Sequence, residues 1–86
     1  MRVLFHKDFK KQYAKLSKKL QEHTDERIML FLIHPSAAQL KNHPLQGKYN
    51  GYSSINITGD YRALYKLIES GIAVFTYIDT HDKLYR

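Results

Sequence analysis

Thr58-Gly59-Asp60-Tyr61-Arg62-Ala63-Leu64-Tyr65 reads as a tight turn running into a strand. Glycine tolerates the backbone angles of a tight turn, and aspartate can hydrogen-bond its own backbone there. The residues that follow are aromatic, branched or alternating, which suits a pleated surface. Tyr61, Ala63, Tyr65 and Leu67 then share one face, and Arg62, Leu64 and Lys66 the other. The stretch also sets a carboxylate and a guanidinium two residues apart where a turn becomes a strand. We assign the Arg62 face to solvent and ligand.

Downstream, Glu69-Ser70-Gly71 signals a hairpin turn, and residues 72–78 form a further strand rich in Val, Ile, Phe and Tyr. Upstream, residues 52–57 alternate, with Ser53, Ile55 and Ile57 on one side and Tyr52, Ser54 and Asn56 on the other. Three strands joined by short turns predict an antiparallel meander. Residues 2–5 are short and apolar, a leading strand.

Between them lie two helical stretches. Phe9, Tyr13, Leu16 and Leu20 repeat at the spacing of one helix face, so residues 6–20 read as a single amphipathic helix. Its other positions carry Lys7, Lys10, Lys11, Lys15, Lys18 and Lys19. Thr24-Asp25-Glu26 resembles the start of a second helix, because threonine caps free N–H groups and acids favour the positive end of the dipole. Ile28, Phe31 and Leu32 give that helix an apolar face; Met29, Leu30 and Ile33 widen it, so it should be the more buried of the two. Pro35 ends it. Residues 34–44 read as a loop with one helical turn near Ala37 and Ala38. The expected fold is therefore α+β, in the order β-α-α-β-β-β, with a small antiparallel sheet packed on two N-terminal helices.

The 86 residues predict a single domain, 1–86. No cysteine is present, which removes disulfides, thiolate catalysis and cysteine metal sites and fits a reducing cytoplasm. No apolar run approaches the roughly 20 residues of a membrane helix, and the apolar part of residues 1–5 is too short for a signal peptide. Lysine and arginine outnumber the acids 14 to 8, a formal charge of +6. An excess of that size points to a nucleic acid or an acidic protein as partner. No phosphate-cradling glycine motif and no metal-ligand spacing occurs, and Ser53 and Ser54 stand outside any nucleophile elbow.

What remains is an acid–base set with an arginine: His43, Asp60, Arg62, His81 and Tyr85. Histidine moves protons near neutral pH, and arginine holds phosphate through parallel hydrogen bonds. These groups on a basic chain suit cleavage of RNA by its own 2′-hydroxyl. A base takes that proton, an acid protonates the leaving 5′-oxygen, and a cation stabilises the phosphorane. Asp60, His43 and Tyr85 are all candidates for the base. Each residue also has a plainer reading, as a turn former, a surface charge or a C-terminal anchor.

Three segments, residues 47–52, 57–65 and 79–85, resemble the RelE/ParE superfamily of bacterial toxins, and most of all its YafQ and YoeB branches. The resemblance spans the whole chain and is most specific at residues 57–65. It implies a RelE-like fold and a type II toxin–antitoxin system. It also implies an endoribonuclease that needs no cofactor or metal and cuts mRNA in the A site of the 70S ribosome through a 2′,3′-cyclic phosphate. A cognate antitoxin would cover the active face. DNA would be met only through the toxin–antitoxin complex, and no membrane is implied. By the same resemblance Arg62 stabilises the transition-state phosphate, and Asp60 and His43 fall on or near functional acid and histidine positions. His81 is a candidate general acid, and Tyr85 stacks on a base or joins proton transfer. Lys7, Lys10, Lys11, Lys15, Lys18 and Lys48 are the candidate RNA- and ribosome-binding cations. Asn56, Ser54 and Tyr77 depart from the pattern, standing where relatives carry His or Lys, Lys, and Arg. The alternatives of the same fold are a non-enzymatic ParE-like gyrase inhibitor and an inactive RNA- or antitoxin-binding module.

Overall fold

The computed structural model describes residues 1–69 and 71–86. Its elements are β1 (Arg2–Phe5), α1 (Lys7–Ala14), α2 (Lys18–Ile33), β2 (His43–Pro44), β3 (Ser53–Asn56), β4 (Tyr61–Glu69), β5 (Ile72–Thr80) and α3 (His81–Leu84). The strands form one sheet in the order β1-β5-β4-β3-β2. The expected meander is present: β3 pairs antiparallel with β4, and β4 with β5. The sheet as a whole is mixed, because β1 lies parallel to β5. Parallel neighbours need a long crossover, and here α1, α2 and the meander supply it. No described helix is long and apolar enough to cross a membrane.

The helices differ from expectation. Residues 6–20 do not form one helix; α1 ends at Ala14, and Ser17 caps α2, its hydroxyl accepting from the Leu20 N–H (3.2 Å). Satisfying a free N–H at a new start offsets the cost of the break. Thr24 is not a cap. It is buried inside α2, and its hydroxyl donates to the Leu20 carbonyl (2.7 Å). Nor is α2 buried all round: Thr24, Ile28 and Phe31 face the core, while Met29 and Ile33 face solvent. Tyr13 ties the two helices by donating to Asp25 (2.7 Å). That bond, burial and the carboxylate's charge hold its pKa above the ordinary tyrosine value.

Phe9, Ile28 and Phe31 pack on Ile55, Ala63, Tyr65, Phe75 and Ile78 to form the core. A bulge keeps both sheet faces in phase. Leu64 stands opposite Tyr77 but Tyr65 opposite Phe75, so Thr76 is the extra residue. Tyr65 and Phe75 thus point into the core, and Leu64 and Tyr77 share the other face with Arg62. That face is not simply open, since Leu64 is fully buried. Tyr49, Tyr52 and Tyr77 cluster on that side, with ring centroids 5.5–6.3 Å apart. The hairpin turn expected at residues 69–71 includes Ser70, outside the described residues; Gly71 takes a left-handed φ of 83°.

Candidate active site

The turn before β4 works differently from its sequence reading. Gly59 is not among the glycines with positive φ. Instead the Thr58 hydroxyl accepts from the Asp60 and Tyr61 N–H groups (3.3 and 3.1 Å), and the Ile57 N–H donates to the Tyr61 carbonyl (2.9 Å). The turn then grips the residue it was expected to display. One guanidinium nitrogen of Arg62, Nη1, donates to the carbonyls of Thr58, Gly59 and Tyr61 at 3.0, 3.0 and 3.1 Å. Among the described residues no lysine or arginine has a carboxylate within 4.0 Å, so Arg62 is not neutralised by Asp60.

Across the sheet, Asn56, Arg62 and Asp79 stand in one row, and His43, Ser54, Leu64 and Tyr77 in the next. His43 reaches this row because residues 43–44, expected to be loop, pair with β3. The loop before it is anchored from below. Asn42 donates to the Pro35 carbonyl (2.9 Å) and accepts from the hydroxyl of the core residue Tyr65 (2.8 Å). Lys41 takes a left-handed φ of 46°. Its carbonyl lies 2.7 Å from His43 Nδ1. A carbonyl only accepts, so Nδ1 carries the proton, and in the neutral ring Nε2 keeps its lone pair. At the other end of the site, Thr80 caps α3 by accepting from the Lys83 N–H (3.3 Å), and the Asp60 carbonyl accepts from the His81 N–H (2.8 Å). The four residues of α3 lie beyond the strand expected at residues 72–78, where the sequence predicts no element. As a helix they set His81 and Tyr85 one turn apart, ring centroids 4.7 Å from each other.

The result is one cavity of about 300 Å³ lined by Lys41, His43, Leu45, Ser54, Asn56, Arg62, His81 and Tyr85. Four of the five residues expected to carry the chemistry meet there. Asp60 does not; it lines an adjoining hollow with Asp82, sharing Arg62 and His81 as the dividing wall. The cavity is cationic and has no carboxylate in its lining. Lys41 was not expected as a member; Ser54 and Asn56, expected only as departures from the toxin pattern, both line it. Ser54 is 1% exposed and its hydroxyl has no hydrogen-bond partner. Lys7, Lys10, Lys11, Lys15 and Lys18 are exposed on and just beyond α1, and Lys48 reaches the Arg86 carbonyl (3.3 Å) over the Tyr49 ring. Among the described residues no three His, Asp or Glu side chains converge as a metal site would require.

Sheet and helices together have the fold of the RelE-like toxins. The family model described as "Bacterial toxin of type II toxin-antitoxin system, YafQ" matches residues 1–86. The chain belongs to this YafQ family, within the RelE/ParE superfamily. Solved structures share its fold. YafQ from Escherichia coli strain BL21(DE3) superposes with a TM-score of 0.80 at 24% identity, over 99% of this chain and 98% of that one. A YoeB/ParE toxin from Agrobacterium tumefaciens gives 0.77 at 24% identity, over 94% and 99%. The E. coli DinJ-YafQ toxin-antitoxin complex gives 0.77 at 26% identity, over 99% and 97%. No curated protein sequence matches the chain.

Proposed function

We propose that this toxin is an endoribonuclease that cleaves mRNA in the ribosomal A site by attack of the RNA's own 2′-hydroxyl. The observation that carries the reading is His43, whose Nδ1–H is committed to a carbonyl and whose Nε2 shares a cavity with Arg62 and His81. Nε2 takes the 2′-hydroxyl proton as O2′ attacks phosphorus. The P–O5′ bond breaks, and protonated His81 returns a proton to the leaving oxygen. The products are a 2′,3′-cyclic phosphate and a 5′-hydroxyl. Arg62 offers the N–H groups not held by the turn to the phosphate oxygens, whose charge grows in the transition state. A small opening of the cavity floor on binding lets the Ser54 hydroxyl, buried in the free protein, donate to the same phosphate, and Tyr85 stacks on a neighbouring base. Asp60 fixes the start of α3 through its carbonyl and contributes its carboxylate to the rim.

The exposed lysines of α1 and its C-terminal end supply the electrostatic attraction to ribosomal RNA. The same basic surface and cavity suit an acidic antitoxin segment that blocks the site; the E. coli relative YafQ forms a toxin-antitoxin complex with DinJ.

The test is to map mRNA ends on programmed ribosomes. Removing either imidazole should cost about 10²–10⁴-fold in cleavage rate. Growth arrest that persists unchanged in an Arg62→Ala, His81→Ala double variant would refute the mechanism.

A further inference from the structure

A second hollow, of about 420 Å³, lies on the far side of α3 from His81, between α3 and α1. Lys11 and Lys15 approach it from α1, Lys83 from α3, and the rings of Tyr49 and Tyr77 lie in its wall. We propose that this groove is a second nucleotide subsite, which takes the base and phosphate of the residue adjoining the scissile phosphate in single-stranded RNA. The inference rests on the ribonuclease reading above and deepens it.

The two cavities are joined by aromatic rings. Tyr85 lines the catalytic cavity; its centroid lies 5.7 Å from that of Tyr49, which lies 5.5 Å from that of Tyr77. An RNA strand leaving Arg62 therefore meets a run of π-faces leading into the groove. Tyr49 and Tyr77 remain partly exposed. Packing against one another, with Tyr77 opposite the buried Leu64, accounts for the rings' buried sides but not for the lysines gathered beside them. Those cations are unspent, with no carboxylate within 4.0 Å among the described residues.

The groove also holds two acids, whose charges reach its tyrosines. Asp79 accepts from the Thr80 N–H (2.8 Å) and from Gln12 Nε2 (3.4 Å), and the Asp8 carboxylate lies 3.6 Å from His6 Nδ1, which itself accepts from the Asp8 N–H (3.0 Å). Lys11, Lys15 and Lys83 outnumber the two acids. Stacking rings beside uncompensated cations is the composition that binds single strands with little sequence preference. Burial, first of all, keeps both phenols above the ordinary tyrosine pKa, so the rings present neutral faces at physiological pH. The volume falls in the usual range of ligand pockets, about 300–1,000 Å³.

The test uses labelled RNAs with a 2′-deoxy sugar at the cleavage position, so that binding is read without turnover. A dinucleotide is compared with trinucleotides extended on the 5′ or the 3′ side. One extension should raise affinity about 5- to 150-fold, the range of base–aromatic stacking. An abasic sugar at the added position should abolish the gain. The gain should also shrink in Tyr77→Ala and survive in Tyr77→Phe. Because Tyr77→Ala uncovers Leu64, the exposed pair Lys11→Gln, Lys83→Gln is run beside it and should shrink the gain severalfold with the fold intact.

Equal affinity for abasic and base-bearing extensions, or a gain indifferent to all these variants, would overturn the subsite. Dinucleotide binding lost in Arg62→Ala, with no gain on extension, would overturn the subsite and leave the ribonuclease reading standing. No Arg62-dependent binding of any RNA would overturn both. An acidic peptide that shields Tyr77 where RNA does not would assign the groove to a protein partner instead.

Discussion

Removing one oxygen atom from the floor of the proposed catalytic cavity should make the protein more stable and less active. The Ser54 hydroxyl is 1% exposed and unpartnered in the free protein. A buried polar group without a hydrogen bond costs about 1–3 kcal/mol. Ser54→Ala removes that cost and leaves almost no void. We expect stabilisation of about 1 kcal/mol, which for a domain of this size raises Tm by about 4–8 °C. In the proposed mechanism the same hydroxyl donates to a charged phosphate oxygen, a bond worth about 1.5–3 kcal/mol. Its loss should lower kcat/KM by about 10- to 150-fold. Thermal unfolding and ribosome-dependent cleavage, measured on one preparation, give both numbers. A lower Tm with unchanged cleavage would refute the reasoning, because it would mean that the hydroxyl serves the fold and never meets substrate.

Two further outcomes follow from charge and burial. Lys7, Lys10 and Lys18 stand outside both cavities, so replacing all three with Gln should weaken ribosome binding and flatten the plot of log affinity against log salt by about 2; an unchanged slope would remove this surface from docking. The Tyr49 and Tyr77 phenols, held protonated chiefly by burial, bear on alkaline stability. Unfolded tyrosines ionise near about pH 10 and these two higher, so the folded state keeps protons that the unfolded state gives up. Their contribution is present below about pH 10 and lost above it. A Tyr49→Phe, Tyr77→Phe variant should therefore lose less of its urea midpoint between about pH 8 and pH 11 than the parent, and an equal loss would contradict the burial assigned to the two rings.

The meander was legible because β4 and β5 carry alternation and branched or aromatic residues over long runs. The break between α1 and α2 was not. Leu16 and Leu20 lie four apart, as in a continuous helix, lysines run through both sides, and the only punctuation is Ser17, with no glycine or proline to mark it. The two-residue β2 contains a proline and has no alternation to detect; its pairing partner, β3, lies ten residues further on. α3 is one turn, too short for periodicity, though Thr80 has the chemistry of its cap. The parallel pairing of β1 with β5 depends on packing between the two ends of the chain, which no local pattern encodes. For the site, spacing alone listed groups without bringing them together, and it was resemblance that put His43, Arg62, His81 and Tyr85 in one place. Ser54 reads as an ordinary strand serine until its hydroxyl is found without a partner, and Lys41 acts through its backbone, where side-chain identity carries no signal. Asp60, chosen for its carboxylate, touches α3 through its carbonyl.

The grip of three carbonyls on Arg62 has a consequence for how this toxin could change over time. A free arginine gives up about 2 kcal/mol of rotamer entropy when a ligand immobilises it. Here much of that ordering accompanies folding, so in the proposed mechanism the guanidinium meets RNA already aimed. Lysine, a point charge without the planar fork, could not be held by the turn and face the phosphate in the same way. On the proposed reading, the backbone path through Thr58, Gly59 and Tyr61 is thus part of the catalytic apparatus although none of those side chains need meet substrate. A substitution that merely reshapes the turn, leaving every acid–base group in place, is a route by which a lineage could attenuate the toxin while keeping its fold.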